Sequence, residues 1–234
     1  MSRDNDIVLD SNGDDIILIV GLTGVGKSTF INAAAGQAAV SVGHDLQSCT
    51  KSIEPVKVPY RSRRIVLVDT PGFDDTWVGD KQILGRIVDW LARSPQGTKL
   101  AGIIYLHDIS QARIEPAKEN LKTFNMLCQP PAYMNIVFAT SKWSNVTADV
   151  GMRREQQLQS EHWTGSNVAR FENTYESASA IVDLIFEKEP VDVVLFHKEL
   201  VNVQSCLNPK AQAKISGGFF KYLFRRLRAK TSEH

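Results

Sequence analysis

The stretch GLTGVGKST, residues 21–29, decides how this 234-residue chain is read. Gly21 is followed after four residues by Gly26, Lys27 and Ser28. That spacing describes a phosphate-binding loop. Glycines keep side chains away so that backbone N–H groups wrap the anion, the lysine reaches the β- and γ-oxygens, and the hydroxyl ligates Mg²⁺. The pattern alone is common, but its setting here is specific. Residues 16–20, IILIV, form an apolar, β-branched run that predicts a buried parallel strand. KSTFINAAAG, residues 27–36, predicts an Ala-rich helix ending at Gly36, whose positive N-terminus faces the anion. Gly21, Thr23, Gly24, Val25, Gly26, Lys27, Ser28 and Thr29 are therefore the candidate phosphate cradle. Lys27 is also a candidate catalytic group, and Ser28 a candidate metal ligand.

Two further elements fit the same site. VLVDTPGF, residues 66–73, ends an apolar strand in Asp69, with Gly72 three residues on. Asp69 can hold Mg²⁺ through a water, and the Gly72 N–H can meet the γ-phosphate because glycine permits close approach. Thr50, in QSCTKS, lies between the loop and this strand. It suits a switch threonine that senses γ-phosphate and Mg²⁺ and is released after hydrolysis. Lys27, Thr50 and Gly72 form the candidate catalytic set, and Ser28, Thr50 and Asp69 the metal set.

Outward from the loop, apolar runs and helical periodicity alternate. Residues 52–58 and 64–69 flank PYRSRR and read as an antiparallel pair. Residues 79–93 predict a helix with Ile83, Ile87, Trp90 and Leu91 on one face. Then come a strand at 101–107, a helix at 115–128, a strand at 134–140, and helices at roughly 149–162 and 176–188. Such alternation gives an α/β fold with a largely parallel sheet covered on both faces. Pro190 ends the main domain. The division expected is a flexible N-terminus over 1–13, a P-loop domain over 14–190 and a helical extension over 191–234.

Composition narrows the class. With 43% hydrophobic and 23% charged residues, the chain has the make-up of a soluble globular protein with a proper core. The N-terminus lacks an apolar signal segment and no run of apolar residues is long enough to span a bilayer, so a cytoplasmic location is expected. Cys49, Cys128 and Cys206 are widely spaced and odd in number, which reads as reduced thiols. Asn145-Val-Thr147 matches a glycosylation sequon by chance. The net charge of +1 is uneven: from Pro209 onward seven Lys/Arg oppose one Glu, leaving about −5 for the body (+1 − 6). An acidic body argues against a nucleic-acid partner.

GLTGVGKSTFINAAAG, SCTKS, DTPGFDDT and the late RFENTYESA together resemble the septin-related GTPases. These include the immunity-associated nucleotide-binding proteins and the chloroplast-import receptor GTPases, with their fungal relatives the nearest in pattern. The similarity spans about residues 14–190. It implies a three-layer Ras-like P-loop G domain with a mostly parallel six-stranded sheet, GTP/GDP binding with Mg²⁺, slow hydrolysis, and a homodimer formed through G domains across the nucleotide.

Two positions depart from the pattern. Phe73 follows Gly72 where Ras-like proteins place the glutamine that orients the attacking water. Slow hydrolysis is therefore expected of an isolated domain, and His44, Gln47 and Arg113 read either as solvated loop residues or as candidates for help given in trans. In TSKWSN, residues 140–145, Ser144 stands where a guanine reader carries aspartate. A carboxylate accepts from both the N1–H and the N2–H₂ of guanine; a serine accepts one such bond and brings no charge. The loss costs about 2–4 kcal/mol of guanine affinity. Lys142 and Trp143 remain as base-side candidates, with Asn173 from the family's Phe-x-Asn pattern. Phe171 reads equally as a flank of the base or a core aromatic, and Asp149 lies near enough to substitute if the loop is remodelled. A pseudo-GTPase scaffold and a base-tolerant ATPase therefore stand beside the GTPase reading. Finally, residues 217–230, GGFFKYLFRRLRAK, place Phe219, Phe220, Leu223, Phe224 and Leu227 opposite basic residues. That is a basic amphipathic helix suited to an anionic membrane surface, or to packing on the domain.

Overall fold

The computed structural model describes residues 14–40, 42, 53–72, 80–95, 98–112, 136–161, 163, 167–187 and 190–192. In chain order they form β1 (Asp14–Gly21), α1 (Lys27–Ala35), β2 (Glu54–Tyr60), β3 (Arg63–Asp69), α2 (Asp80–Ala92), β4 (Lys99–Asp108) and β5 (Ile136–Ser141). A 3-10 turn at Trp143–Asn145 leads to α3 (Ala148–Glu161), β6 (Asn167–Arg170), α4 (Tyr175–Ile185) and β7 (Val191–Asp192).

The strands lie in the order β2-β3-β1-β4-β5-β6. All neighbours on this path are parallel except β2 and β3, the hairpin expected around residues 60–63. The mostly parallel six-stranded sheet is thus present, with one addition: β7 runs antiparallel beside the start of β4, Lys99 opposite Asp192. α1, between β1 and β2, and α4, between β6 and β7, pack against each other.

Burial explains which residues form which element. Ile16, Ile17 and Ile19 of β1 are fully buried because the strand sits mid-sheet, so the run is continuous rather than alternating. Phe30, Ile31 and Ala34 of α1 and Ala178, Ile181, Val182 and Ile185 of α4 close over one face. Each such large aliphatic or aromatic side chain contributes about 1.5–3 kcal/mol on burial. α2 adds Ile83, Ile87 and Leu91, the predicted stripe, while Trp90 is half-buried. Phe138 stacks on Trp163 at 4.9 Å between ring centres, and His107 meets Trp163 edge-on.

Three details depart from the simplest reading. β1 begins with two acids, and Asp14 and Asp15 are buried; Lys57 and Arg64 pair with the first, Arg63 with the second. Edge strand β2 carries Pro55 and Pro59, which lack the N–H that another strand would need. At the hairpin, the Tyr60 hydroxyl donates to Asp183 Oδ1 at 2.8 Å and to the Ser179 carbonyl at 2.9 Å. Burial first, and then the bond to the Asp183 carboxylate, push that phenol up to about 12. α4 is opened by a capping box in which Thr174 and Ser177 satisfy each other's backbone N–H groups. The helix expected over 115–128 and the extension beyond Asp192 lie outside the described residues. No helix among the described residues is long and apolar enough to cross a membrane.

Candidate functional site

The loop between β1 and α1 takes its shape from glycines. Gly26 caps α1 with φ 97 and ψ 29, left-handed backbone that an L side chain resists. Having no side chain, it offers no side-chain cap, and the positive end of α1 opens onto the loop. A Cβ at Gly21 would lie 2.4 Å from the Leu106 carbonyl oxygen, so close packing of the loop root on β4 also requires glycine. Val25 points into the core, Thr23, Gly26, Ser28 and Thr29 are half-buried, and Gly24 is exposed.

Lys27 is 6% exposed, and its Nζ donates to the Gly21 and Leu22 carbonyls at 3.2 and 3.0 Å. The loop thus carries its own cation at its centre. Ser28 Oγ donates to Asp69 Oδ2 at 2.6 Å, joining the start of α1 to the end of β3. Asp69 is 1% exposed. Beside it, Glu54 is paired with Asp69 in the hairpin register, and its carboxyl is raised by burial and then by the Asp69 charge. Thr70 Oγ1 donates to the Ile19 carbonyl at 2.7 Å and holds the turn after β3 against β1. Gly72 follows, so close to the loop that a Cβ would fall 2.2 Å from Thr23 Oγ1. Five separated candidates, Thr23, Lys27, Ser28, Asp69 and Gly72, therefore meet at one end of the sheet. A hydroxyl and a carboxylate 2.6 Å apart beside a phosphate loop form a hard-oxygen donor pair of the kind Mg²⁺ accepts while keeping several waters.

The base-side candidates stand after β5. Ser141, just before Lys142, donates to the Val25 carbonyl at 2.7 Å and to the His107 carbonyl at 3.2 Å, tying β5 to the phosphate loop. Lys142 adopts φ 58, and its Nζ pairs with Asp108 Oδ2 at 3.1 Å. Asp108 Oδ1 accepts from the Ser110 N–H and hydroxyl, while Arg154 of α3 donates to the Ile109 and Ser110 carbonyls, both at 2.8 Å. The Trp143 ring faces the Arg170 guanidinium at 4.2 Å, and its Nε1 donates to Thr140 Oγ1 at 3.0 Å. Ser144 is exposed and donates to Asn145 Oδ1 at 3.3 Å. Asp149 is exposed in the first turn of α3. Asn173, exposed at φ 61, precedes the cap of α4. Phe171 is 3% exposed and meets Phe30 of α1 edge-on at 5.1 Å, which makes it a core aromatic.

Thr50, Phe73, His44, Gln47 and Arg113 lie outside the described residues, as does 217–230. Sequence reasoning missed Ser141 as a link, Asp108 as the partner of Lys142, and the Arg170–Glu155 pair beneath Trp143. For Asp108 the visible signal is its place at a strand end, since ligand sites gather at the carboxyl ends of parallel strands.

Comparison with known proteins adds the family. The family model described as 50S ribosome-binding GTPase matches residues 16–142, more than half of the chain. Among solved structures, Era in complex with MgGDPNP and part of 16S ribosomal RNA is similar with a TM-score of 0.58 at 15% identity, covering 75% of this chain and 57% of that one. Toc33 from Arabidopsis thaliana in complex with GDP and Mg²⁺ is similar with a TM-score of 0.56 at 16% identity, covering 77% of this chain and 88% of that one. The chloroplast translocon structure concerned with atToc33 and psToc159 gives 0.54 at 15% identity, covering 84% and 85%. At these identities the structures show the fold, and this chain spans little more than half of the Era chain. The expectation of no nucleic-acid partner gains nothing here, since the Era structure is an RNA complex. With the phosphate loop and the strand-end aspartate both inside the matched span, the chain belongs to the GTPase family described as 50S ribosome-binding GTPases.

Proposed function

We propose that this protein is a Mg-dependent guanine-nucleotide-binding GTPase of the septin-related group, slow in hydrolysis and acting as a dimerising switch or assembly unit. The observation that carries this is the 2.6 Å contact between Ser28 and Asp69, with Gly72 packed on Thr23. A scaffold without nucleotide has no need of a complete triphosphate end. In this reading residues 21–29 wrap the β- and γ-phosphates, Lys27 turns its ammonium from the loop carbonyls to the phosphate oxygens, and the Gly72 N–H meets the γ-phosphate. Ser28 and Asp69, with Thr50, would hold Mg²⁺, which when bound neutralises charge on the β- and γ-oxygens.

The chain's own groups set the rate. Phe73 cannot accept a proton from water or orient it, so an unaided domain turns over slowly. Pairing of two domains across the nucleotide would supply the missing polar group. The atToc33 and psToc159 work states that dimerization is important for the GTPase activity of those proteins, which supports pairing here. Lys142, Trp143 and Asn173 would line the base. A cytoplasmic protein touching anionic membrane through 217–230 fits the charge pattern of that segment.

The test is titration with fluorescent GTP, GDP and ATP, with and without Mg²⁺, followed by GTP turnover from dilute to concentrated protein. Mg-dependent binding and specific activity that rises with concentration are expected. Specific activity that stays flat removes catalytic pairing. Binding without turnover at any concentration makes the protein a pseudo-GTPase, the reading that exposed Ser144 favours.

A further inference from the structure

One cluster at the base end is not used by the nucleotide reading. Arg170 ends β6 opposite Thr140 of β5. Its Nε donates to both oxygens of Glu155 on α3, each at 3.0 Å, and its second nitrogen reaches the same carboxylate. Its guanidinium lies 4.2 Å from the centre of the Trp143 ring. The indole N–H donates to Thr140 Oγ1 at 3.0 Å. Gly151, buried in the first turn of α3, leaves the space the indole fills: a Cβ there would be 2.5 Å from Trp143 Cζ3. β5, the turn, α3 and β6 each give this cluster one part or more.

A surface ion pair is usually of little consequence, and a half-buried tryptophan is usually packing. Two features argue for more. Glycine inside a helix is unfavourable relative to alanine, so Gly151 needs a reason, and the seat of the indole is one. Arginine stacked on a ring and forked onto a carboxylate has a geometry that lysine does not reproduce. What the cluster grips also matters. Lys142, next to Trp143, is held at φ 58, which side chains other than glycine avoid. Phe171, next to Arg170, donates its N–H to the Thr140 carbonyl at 2.8 Å and leads to Asn173. Both base-side segments therefore leave from residues of one cluster.

We propose that Arg170, Glu155 and Gly151 are positioning residues of the base site, acting through Trp143 to set Lys142–Ser144 and Phe171–Asn173 before a nucleotide arrives. The proposal rests on the nucleotide reading above. With serine in place of the base-reading aspartate, affinity for the base depends on walls that need no ordering when it binds.

The experiment compares native full-length protein with Gly151→Ala and Arg170→Lys, measuring affinity for Mg-GDP and for Mg-tripolyphosphate, which lacks a base. Gly151→Ala should weaken Mg-GDP binding about tenfold and leave tripolyphosphate within about twofold, although alanine is the better helix former. Arg170→Lys should do the same, and both should change the near-UV circular dichroism of the indole. In a Trp143→Ala background, Gly151→Ala should have no further effect on GDP. Unaltered GDP affinity in Gly151→Ala, or equal weakening of both ligands, overturns the proposal alone. Native protein that binds neither ligand overturns the nucleotide reading and this proposal with it.

Discussion

Residues 21–28 follow β1 and residues 142–145 follow β5, two places apart in one sheet, yet they are held by different means. The first segment is shaped by backbone. Left-handed Gly26, Gly21 against a β4 carbonyl and Gly72 against Thr23 leave almost no room for substitution. The second is shaped by side chains from other elements: Ser141 on the Val25 carbonyl, Lys142 on Asp108, and Trp143 between Arg170 and α3. A site made of backbone survives only as a whole. A site framed by side chains can lose one reader, as at Ser144, and keep its outline. Ser141 joins the two, so the comparison can be tested from both sides and at the seam.

The largest effect is expected at the phosphate end. Lys27→Ala should abolish measurable binding of GTP, because most of the affinity comes from phosphate contacts and the buried ammonium is their central charge. Calorimetric titration reads this, with the circular-dichroism spectrum confirming that the domain is still folded. Unchanged affinity would break the phosphate-loop assignment itself. An intermediate effect of opposite sign is expected at the base end. Ser144→Asp should raise affinity for GDP by about one to three orders of magnitude and leave ADP unimproved. XDP should gain nothing, since its C2 carbonyl would face the new carboxylate. A native preference for GDP over ADP beyond about a thousandfold would show that another residue, Asp149 or Asn173 first, already reads the base. The smallest effect belongs to the seam. Ser141→Ala removes one buried hydrogen bond to the Val25 carbonyl and should cost about 1 kcal/mol, about fivefold, for GDP and ADP alike. Selective loss of GDP would instead place Ser141 on the base side alone.

The same contrast separates what the sequence made legible from what it did not. The phosphate end is a contiguous spacing in a strand–turn–helix setting, and every described residue it nominated lies at that end of the sheet. β1, β3, β4 and β5 were legible because buried parallel strands are unbroken apolar runs. β6, four residues reading NVAR, and β7, two residues, carry no period of their own; they are strands because β5 and β4 offer edges to pair with. The base frame was illegible for a related reason. Trp143, Gly151, Glu155 and Arg170 are separated in sequence by irregular distances and meet only once α3 and β6 are in place. A glycine inside the polar helix GMRREQQLQ was its single local trace. Phe171 read two ways in the sequence, and its contact with Phe30 places it in the core.

Lys99, the first residue of β4, has Asp15 beside it on one side and Asp192 on the other. At the usual spacing between strands, the first and last described residues of the chain are only about 10 Å apart, across a single strand. Both lie at the amino ends of the parallel strands, the pole opposite the phosphate loop. The described sheet thus begins and ends at one pole and carries its nucleotide loops at the other. A group attached beside Asp14 or Asp192 would therefore stand behind the sheet and leave the phosphate loop uncovered.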